Sequence, residues 1–140
     1  MTAHRLDVRV YYEDTDMAGV VYYANYLRYL ERGRTEALRA LGVDQARLKA
    51  ETGVVFLVTR VEIDYRRPAL FDDMLTIETA ATGIGRASVA MAQRVLRGGE
   101  TLAEAAVRLA AVGANGRAAA LPDVVRTALA QLGGDAGAEM

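Results

Sequence analysis

The chain has 140 residues, of which 52% are hydrophobic and 25% are charged, a length and composition typical of one globular domain rather than a disordered segment. It has no cysteine and a single histidine, His4, so disulfides, thiolate zinc sites and cysteine nucleophiles are excluded, and a Ser-His-Asp triad or a multi-histidine metal site would depend on one residue near the N-terminus. The net charge is −1, and no basic block of the kind that binds nucleic acid is present. The sequence shows neither an apolar run of membrane-span length nor a signal-peptide core, so we expect a cytoplasmic protein.

The N-terminal part of the chain is predicted to form a strand, a polar loop and a long helix. Apolar and polar residues alternate over residues 7–13, which indicates a strand. From about Tyr22 to Leu41 apolar residues recur at helical spacing, and Gly42 is a good C-terminal stop. The apolar stripe of this helix, which indicates burial, consists of Tyr23, Tyr26, Leu27, Leu30, Ala37, Leu38 and Leu41.

The rest of the chain is predicted to be an antiparallel meander followed by a short helix. After a short connector, alternating residues indicate a long strand that Pro68 ends and that has Tyr65 on its buried face. Turn residues, mainly glycine and aspartate, separate the later elements. The predicted elements are strands at 54–65, 74–82, 87–96 and 101–112 and a helix at 122–132.

The segment 101–112 is ambiguous on local evidence. Its alanine, leucine, glutamate and arginine residues favour a helix by propensity. The preceding Gly98-Gly99 pair is typical of a hairpin turn, and polar positions alternate along the segment. We therefore predict a strand.

These elements predict an α+β domain in which an antiparallel sheet curls around the long helix, so that the apolar faces of both are buried. Alanines on the later strands would let the helix approach the sheet closely. The predicted domain covers residues 1–132, and residues 133–140 are predicted to be a flexible tail.

Glu13, Asp14 and Asp16 come directly before the predicted helix, and three interpretations of them are open. Acidic side chains cap helix N-termini and complement the helix macrodipole. Asp14 and Asp16 are also candidate ligands of a divalent cation, although a third ligand at suitable spacing is missing. A carboxylate beside a helix N-terminus can instead attack or activate water while free N–H groups hold an oxyanion, which suits acyl transfer and needs no histidine, cysteine or metal.

Two motifs carry a family resemblance. The run D-T-D-x-x-G-V-V-Y at 14–22, followed by E-R-x-R-T-E at 31–36, resembles the signature of hotdog-fold acyl-CoA thioesterases of the hydroxybenzoyl-CoA thioesterase type, and within that group the Tol-Pal-associated acyl-CoA thioesterases. The resemblance implies an α+β hotdog fold, with a long central helix wrapped by a curved antiparallel sheet of about five strands. It also implies hydrolysis of acyl-CoA thioesters and a homodimer or homotetramer with active sites at the subunit interface, and it favours a strand at 101–112.

By motif position, the resemblance assigns the catalytic carboxylate to Asp16 and the oxyanion donor to the backbone N–H of Tyr23. Asp14 is expected to shape the loop. Glu31 is the rival catalytic acid, because other branches of the hotdog family use a helix glutamate. We expect Glu31 to be structural instead and paired with an arginine such as Arg34.

Substrate binding is assigned to Gly19, Val20 and Tyr22 of the first motif. Candidates for the phosphates of coenzyme A are Arg60, Arg66, Arg67 and Arg86, of which Arg86 is preferred because it follows the turn at 83–85. Coenzyme A is part of the substrate, so no separate cofactor and no metal are expected. Tyr23 stands where the Tol-Pal-associated subgroup commonly has histidine. The resemblance therefore does not decide whether the acyl group is short and aliphatic or aromatic. The alternative function is a catalytically weak partner that binds acyl-CoA or acyl carrier protein in envelope or lipid metabolism.

Overall fold

The computed structural model describes residues 2–133, which form a sheet packed against one long helix. The elements in chain order are β1 (His4–Arg9), a 3-10 turn (Tyr12–Asp14), α1 (Asn25–Ala40), α2 (Gln45–Thr52), β2 (Val55–Tyr65), β3 (Met74–Ile84), β4 (Ser88–Arg97), β5 (Glu100–Val112) and α3 (Asp123–Gln131). The α+β class and the antiparallel sheet predicted from the sequence are confirmed.

The sheet has five strands within the described residues, in the order β1-β3-β4-β5-β2, and every neighbouring pair is antiparallel. β1 and β2 are therefore its two edges. Register shifts in three of the strand pairs mark irregularities of the kind that bend a strand and increase its twist. The strand predicted at 101–112 is confirmed as β5, whose pairing with both β4 and β2 outweighs its helical propensity.

α1 packs closely on the sheet at Gly33, where a β-carbon would lie 2.6 Å from Cγ2 of Ile77 on β3. Gln93 of β4 reaches the helix at the same level and donates from Nε2 to the carbonyl oxygen of Leu30 and to Oγ1 of Thr79, at 2.9 Å each. A buried amide in this position is satisfied only if the helix backbone comes within hydrogen-bond distance. The glycine makes that approach possible.

α1 begins at Asn25 rather than at the predicted Tyr22, because the preceding residues are held in an extended loop. Tyr22 donates its N–H to the carbonyl oxygen of Asp14 at 2.9 Å, outside any helical pattern. The predicted apolar stripe is wrong at Tyr23 and Leu27, which are 62% and 44% exposed. Their place in the core is taken by Tyr29, which is only 1% exposed.

Two further boundaries differ from the prediction. The first strand covers His4–Arg9 rather than residues 7–13, because Val10 leaves the strand ladder and donates its N–H to the carbonyl oxygen of Asp73, and a 3-10 turn follows. The predicted connector contains the helix α2, which the side chain of Asp44 caps at its N-terminus and which Gly53 ends at a φ of 76°.

The C-terminal helix lies close to the predicted span, and the chain then returns to the N-terminal segment. Gly133, expected to begin the flexible tail, is buried and donates its N–H to the carbonyl oxygen of Thr2 at 3.0 Å. The remainder of that predicted tail, residues 134–140, lies outside the described residues. No helix between residues 2 and 133 is both long and apolar enough to cross a membrane.

Candidate active site

The first motif folds into a small hairpin that runs directly into α1. Thr15 and Val21 form an antiparallel bridge, and Asp16 donates its N–H to the carbonyl oxygen of Val20 at 2.9 Å. Gly19 closes the turn by donating its N–H to the carbonyl oxygen of Asp16, with a φ of 83° that favours glycine. The hairpin therefore holds Asp16 at a fixed place in the chain path that leads into the helix.

The Asp16 side chain is exposed at the tip of this hairpin. Its Oδ1 accepts the N–H of Ala18 at 2.9 Å, which fixes the carboxylate to its own turn. Oδ2 has no hydrogen-bond or ion-pair partner among residues 2–133. One oxygen of the carboxylate is thus held while the other is available for chemistry.

The N-terminus of α1 offers free backbone donors. Its N-cap position is Ala24, which makes no side-chain cap. Asn25 donates its N–H to the carbonyl oxygen of Tyr22, but within the described part of the chain the N–H groups of Tyr23 and Ala24 have no acceptor. Such groups at the positive end of a helix can bind a negatively charged oxygen.

The side-chain contacts of the loop do not support the capping interpretation. Asp14 accepts the N–H of Tyr11 at Oδ2, at 2.8 Å, and so closes the 3-10 turn rather than capping α1. Asp16 caps only its own turn. No group of three or more histidine, aspartate or glutamate side chains that could hold a metal ion occurs in residues 2–133.

The expectation that Asp14 shapes the loop agrees with its contacts. Its carbonyl oxygen accepts both the N–H of Tyr22 and the Nδ2–H of Asn25, each at 2.9 Å. The buried hydroxyl of Tyr29 lies beside it without a hydrogen bond of good geometry. Burial, and then the neighbouring Asp14 carboxylate, raise the pKa of Tyr29.

Aromatic side chains surround the start of α1. Tyr65, at the end of β2, donates its hydroxyl to the carbonyl oxygen of Tyr23 at 2.9 Å and packs edge-to-face on Tyr26, with ring centroids 5.2 Å apart. Tyr65 is 43% exposed, so its predicted place on a buried face is wrong, because β2 is an edge strand. A cavity of about 270 Å³ lies beside this contact. It is lined by Val21, Tyr23, Tyr26, Tyr65, Arg66, Arg67 and Pro68.

Sequence reasoning missed the contact between Tyr65 and Tyr23, because the two residues are 42 positions apart and only the sheet topology brings them together. A larger cavity of about 420 Å³ lies between β1, the 3-10 turn and α1. It is lined largely by charged side chains and includes neither Asp16 nor Tyr23. The smaller aromatic cavity is lined by Tyr23 but not by Asp16.

Glu31 does not pair with Arg34 as predicted. Its Oε2 accepts the hydroxyl of Thr35 on the exposed side of α1, whereas Arg34 donates to Oε1 of Gln93 at 3.1 Å. Burial lowers the pKa of Arg34, and the charge of Glu31 opposes that shift. The guanidinium group therefore points into the sheet while the carboxylate stays at the surface.

The remaining predicted site residues are only partly brought together. Gly19, Val20 and Tyr22 lie on the same hairpin as Asp16, and Val20 forms an antiparallel bridge with Leu70. Arg86 is exposed in the turn between β3 and β4, where its carbonyl oxygen accepts the N–H of Leu121. In the described part of a single chain it shares no hydrogen bond, ion pair or cavity with the hairpin.

The sequence and the fold resemble those of known thioesterases. The sequence profile of the thioesterase-like superfamily matches residues 10–129. The acyl-CoA thioesterase YbgC of Haemophilus influenzae is 45% identical over 105 residues, which cover 75% of this chain and 77% of that protein. A probable thioesterase from Bartonella henselae superposes with a TM-score of 0.83 at 38% identity, covering 86% of this chain and 99% of that one.

A thioesterase from Thermus thermophilus, solved in complex with coenzyme A and zinc, superposes with a TM-score of 0.78 at 32% identity and covers 91% of this chain and 92% of that one. The architecture is that of a hotdog-fold enzyme, as predicted. The chain belongs to the thioesterase-like superfamily.

Proposed function

We propose that the protein hydrolyses acyl-CoA thioesters to the free acid and coenzyme A, as a member of the Tol-Pal-associated subgroup. The observation that carries the proposal is the hairpin at 14–22, which presents an exposed carboxylate and runs directly into a helix whose first N–H groups are uncapped. The name of the Haemophilus influenzae relative and the coenzyme A bound to the Thermus thermophilus structure support the substrate class.

In the proposed mechanism Asp16 acts as nucleophile or as general base. As nucleophile, its Oδ2 attacks the thioester carbonyl carbon, the C–S bond breaks, coenzyme A leaves as a thiolate that takes up a proton, and water hydrolyses the resulting anhydride. As general base, it takes a proton from water, whose oxygen attacks the same carbon; the C–S bond then breaks and the proton passes to the departing sulfur of coenzyme A. In both routes the N–H of Tyr23 stabilises the negative oxygen of the tetrahedral intermediate.

Gly19, Val20 and Tyr22 are proposed to contact the acyl-pantetheine part of the substrate, since they border the carboxylate on the same hairpin. The aromatic cavity beside Tyr23 is suited to the acyl group. Arg86 remains a candidate for the phosphates of coenzyme A. Because it lies apart from the hairpin of its own chain, it would act only where a second copy brings it close.

A homodimer or homotetramer is proposed on the basis of the edge strand β2. It pairs with β5 on one side only, and Leu57 and Val58 on it are 51% and 46% exposed. A second copy that covers this edge would remove its unpaired backbone groups from solvent. Tyr65 belongs both to this strand and to the aromatic cavity, so the edge and the site are continuous. Acyl carrier protein is a further proposed partner, and a cytoplasmic location fits these substrates.

The test is the release of coenzyme A from a panel of aliphatic and aromatic acyl-CoAs, followed with a thiol-reactive dye. The protein contains no cysteine, so it contributes no background signal. Hydrolysis of at least one class with saturation kinetics supports the proposal. Binding of acyl-CoAs without any release of thiol would instead identify the catalytically weak binding partner.

A further inference from the structure

Asn25, the first residue of α1, makes two hydrogen bonds that join the two halves of the proposed catalytic apparatus. Its side-chain Nδ2 donates to the carbonyl oxygen of Asp14 at 2.9 Å. Its backbone N–H donates to the carbonyl oxygen of Tyr22 at 2.8 Å. The side chain is half-buried and has no place in the apolar stripe of the helix.

Each of these bonds fixes a reacting group indirectly. The carbonyl of Tyr22 and the N–H of Tyr23 belong to one planar peptide, so a bond that holds the first also orients the second. Asp14 precedes Asp16 by two residues at the base of the hairpin, and its carbonyl oxygen is also held by the N–H of Tyr22. The Asn25 amide is thus the side-chain link between the hairpin and the helix.

We propose that Asn25 is a positioning residue that sets the distance and angle between the Asp16 carboxylate and the N–H of Tyr23. The inference rests on the proposed roles of those two residues. Both bonds of Asn25 are to the protein backbone, so its proposed role is indirect. Without its side-chain donor, the hairpin keeps its internal hydrogen bonds but can tilt against the helix, and a displacement of about 1 Å at a reacting group can cost about a hundredfold in rate.

Two substitutions separate positioning from folding. Asn25→Ala removes the donor, and Asn25→Asp keeps the shape but replaces the donor by a carboxylate. We expect both to lower kcat by at least about tenfold while KM changes by less than about threefold. The Asn25→Asp protein should keep its melting temperature, because a carboxylate in the first turn of a helix complements the macrodipole. Asn115, an exposed asparagine in a remote turn, provides the matched controls Asn115→Ala and Asn115→Asp, which should keep wild-type kcat.

The pH dependence of kcat distinguishes a positioning role of Asn25 from a purely structural one. At acid pH the carboxyl group introduced by Asn25→Asp becomes protonated and can again donate a hydrogen bond to the carbonyl oxygen of Asp14. The kcat of Asn25→Asp relative to wild type should therefore stay flat above about pH 6 and rise as the pH falls from about 5 to about 3.5, whereas the ratio for Asn25→Ala should stay flat throughout.

The inference and the proposed mechanism fail in different ways. If Asp16→Asn is inactive while both Asn25 variants keep wild-type kcat, the positioning role is wrong and the catalytic assignment stands. If both Asn25 variants lose kcat with the same flat pH ratio and a lower melting temperature, Asn25 is structural only. If Asp16→Asn keeps wild-type turnover, the assignment of Asp16 and the positioning role both fall.

Discussion

Replacing Gly33 by alanine is expected to destabilise the protein, although alanine is the better helix former. The added β-carbon would lie 2.6 Å from Cγ2 of Ile77, 3.0 Å from Oγ1 of Thr79 and 3.2 Å from Nε2 of Gln93. The gain in helix propensity is about 1 kcal/mol. Overpacking costs about 1–3 kcal/mol, and disturbing the bond from Gln93 to Leu30 costs about a further 1 kcal/mol.

The net loss of about 1–3 kcal/mol should lower the melting temperature by roughly 3–10 °C, as measured by circular dichroism. Gly99→Ala is the matched control, because a β-carbon at Gly99 meets no atom within 4 Å. That control should shift the free energy of unfolding by less than about 0.5 kcal/mol. A Gly33→Ala protein that melts higher than wild type would refute the close contact between helix and sheet, since only the propensity gain would then act.

Three further predictions concern the site and the assembly. Tyr23→Phe should leave kcat within a few-fold of wild type, because only the backbone N–H is proposed to act; a hundredfold loss would show that the hydroxyl takes part. Turnover should be unchanged by EDTA, and a loss that zinc or magnesium restores would revive the metal site on Asp14 and Asp16. Sedimentation at micromolar concentration should show a dimer or tetramer, and a stable monomer of 15.1 kDa would contradict the proposed pairing of β2 edges.

Most of the sheet could be predicted from the sequence because its turns are strongly marked. The Gly98-Gly99 pair located the hairpin that makes 101–112 a strand, against its propensity. The helix α2 was missed although its signals are present, with Asp44 as the N-cap and Gly53 as the C-cap. Its few apolar residues show no clear amphipathic pattern, so the spacing alone does not distinguish it from a connector.

The start of α1 and the composition of the site depend on contacts that no local pattern contains. Helical spacing includes Tyr23, but the pairing of Val21 with Thr15 delays the helix to Asn25. The first motif marks the segment that folds into the hairpin, and its chemical role stays a prediction. Tyr65 contacts Tyr23, the residue that follows this motif, from 42 positions further along the chain. Only the packing of β2 brings the two residues together.

The most direct test of the central claim is the turnover of Asp16→Asn, with Glu31→Gln as its control. Asparagine keeps an Oδ1 acceptor for the N–H of Ala18, so the hairpin should survive and the melting temperature should stay the same or rise. The amide can neither attack the thioester nor take a proton, so kcat should fall at least about a hundredfold while KM changes little. Glu31→Gln should keep most of its turnover. Near wild-type turnover in Asp16→Asn, together with an inactive Glu31→Gln, would contradict the account and identify the helix glutamate as the catalytic acid.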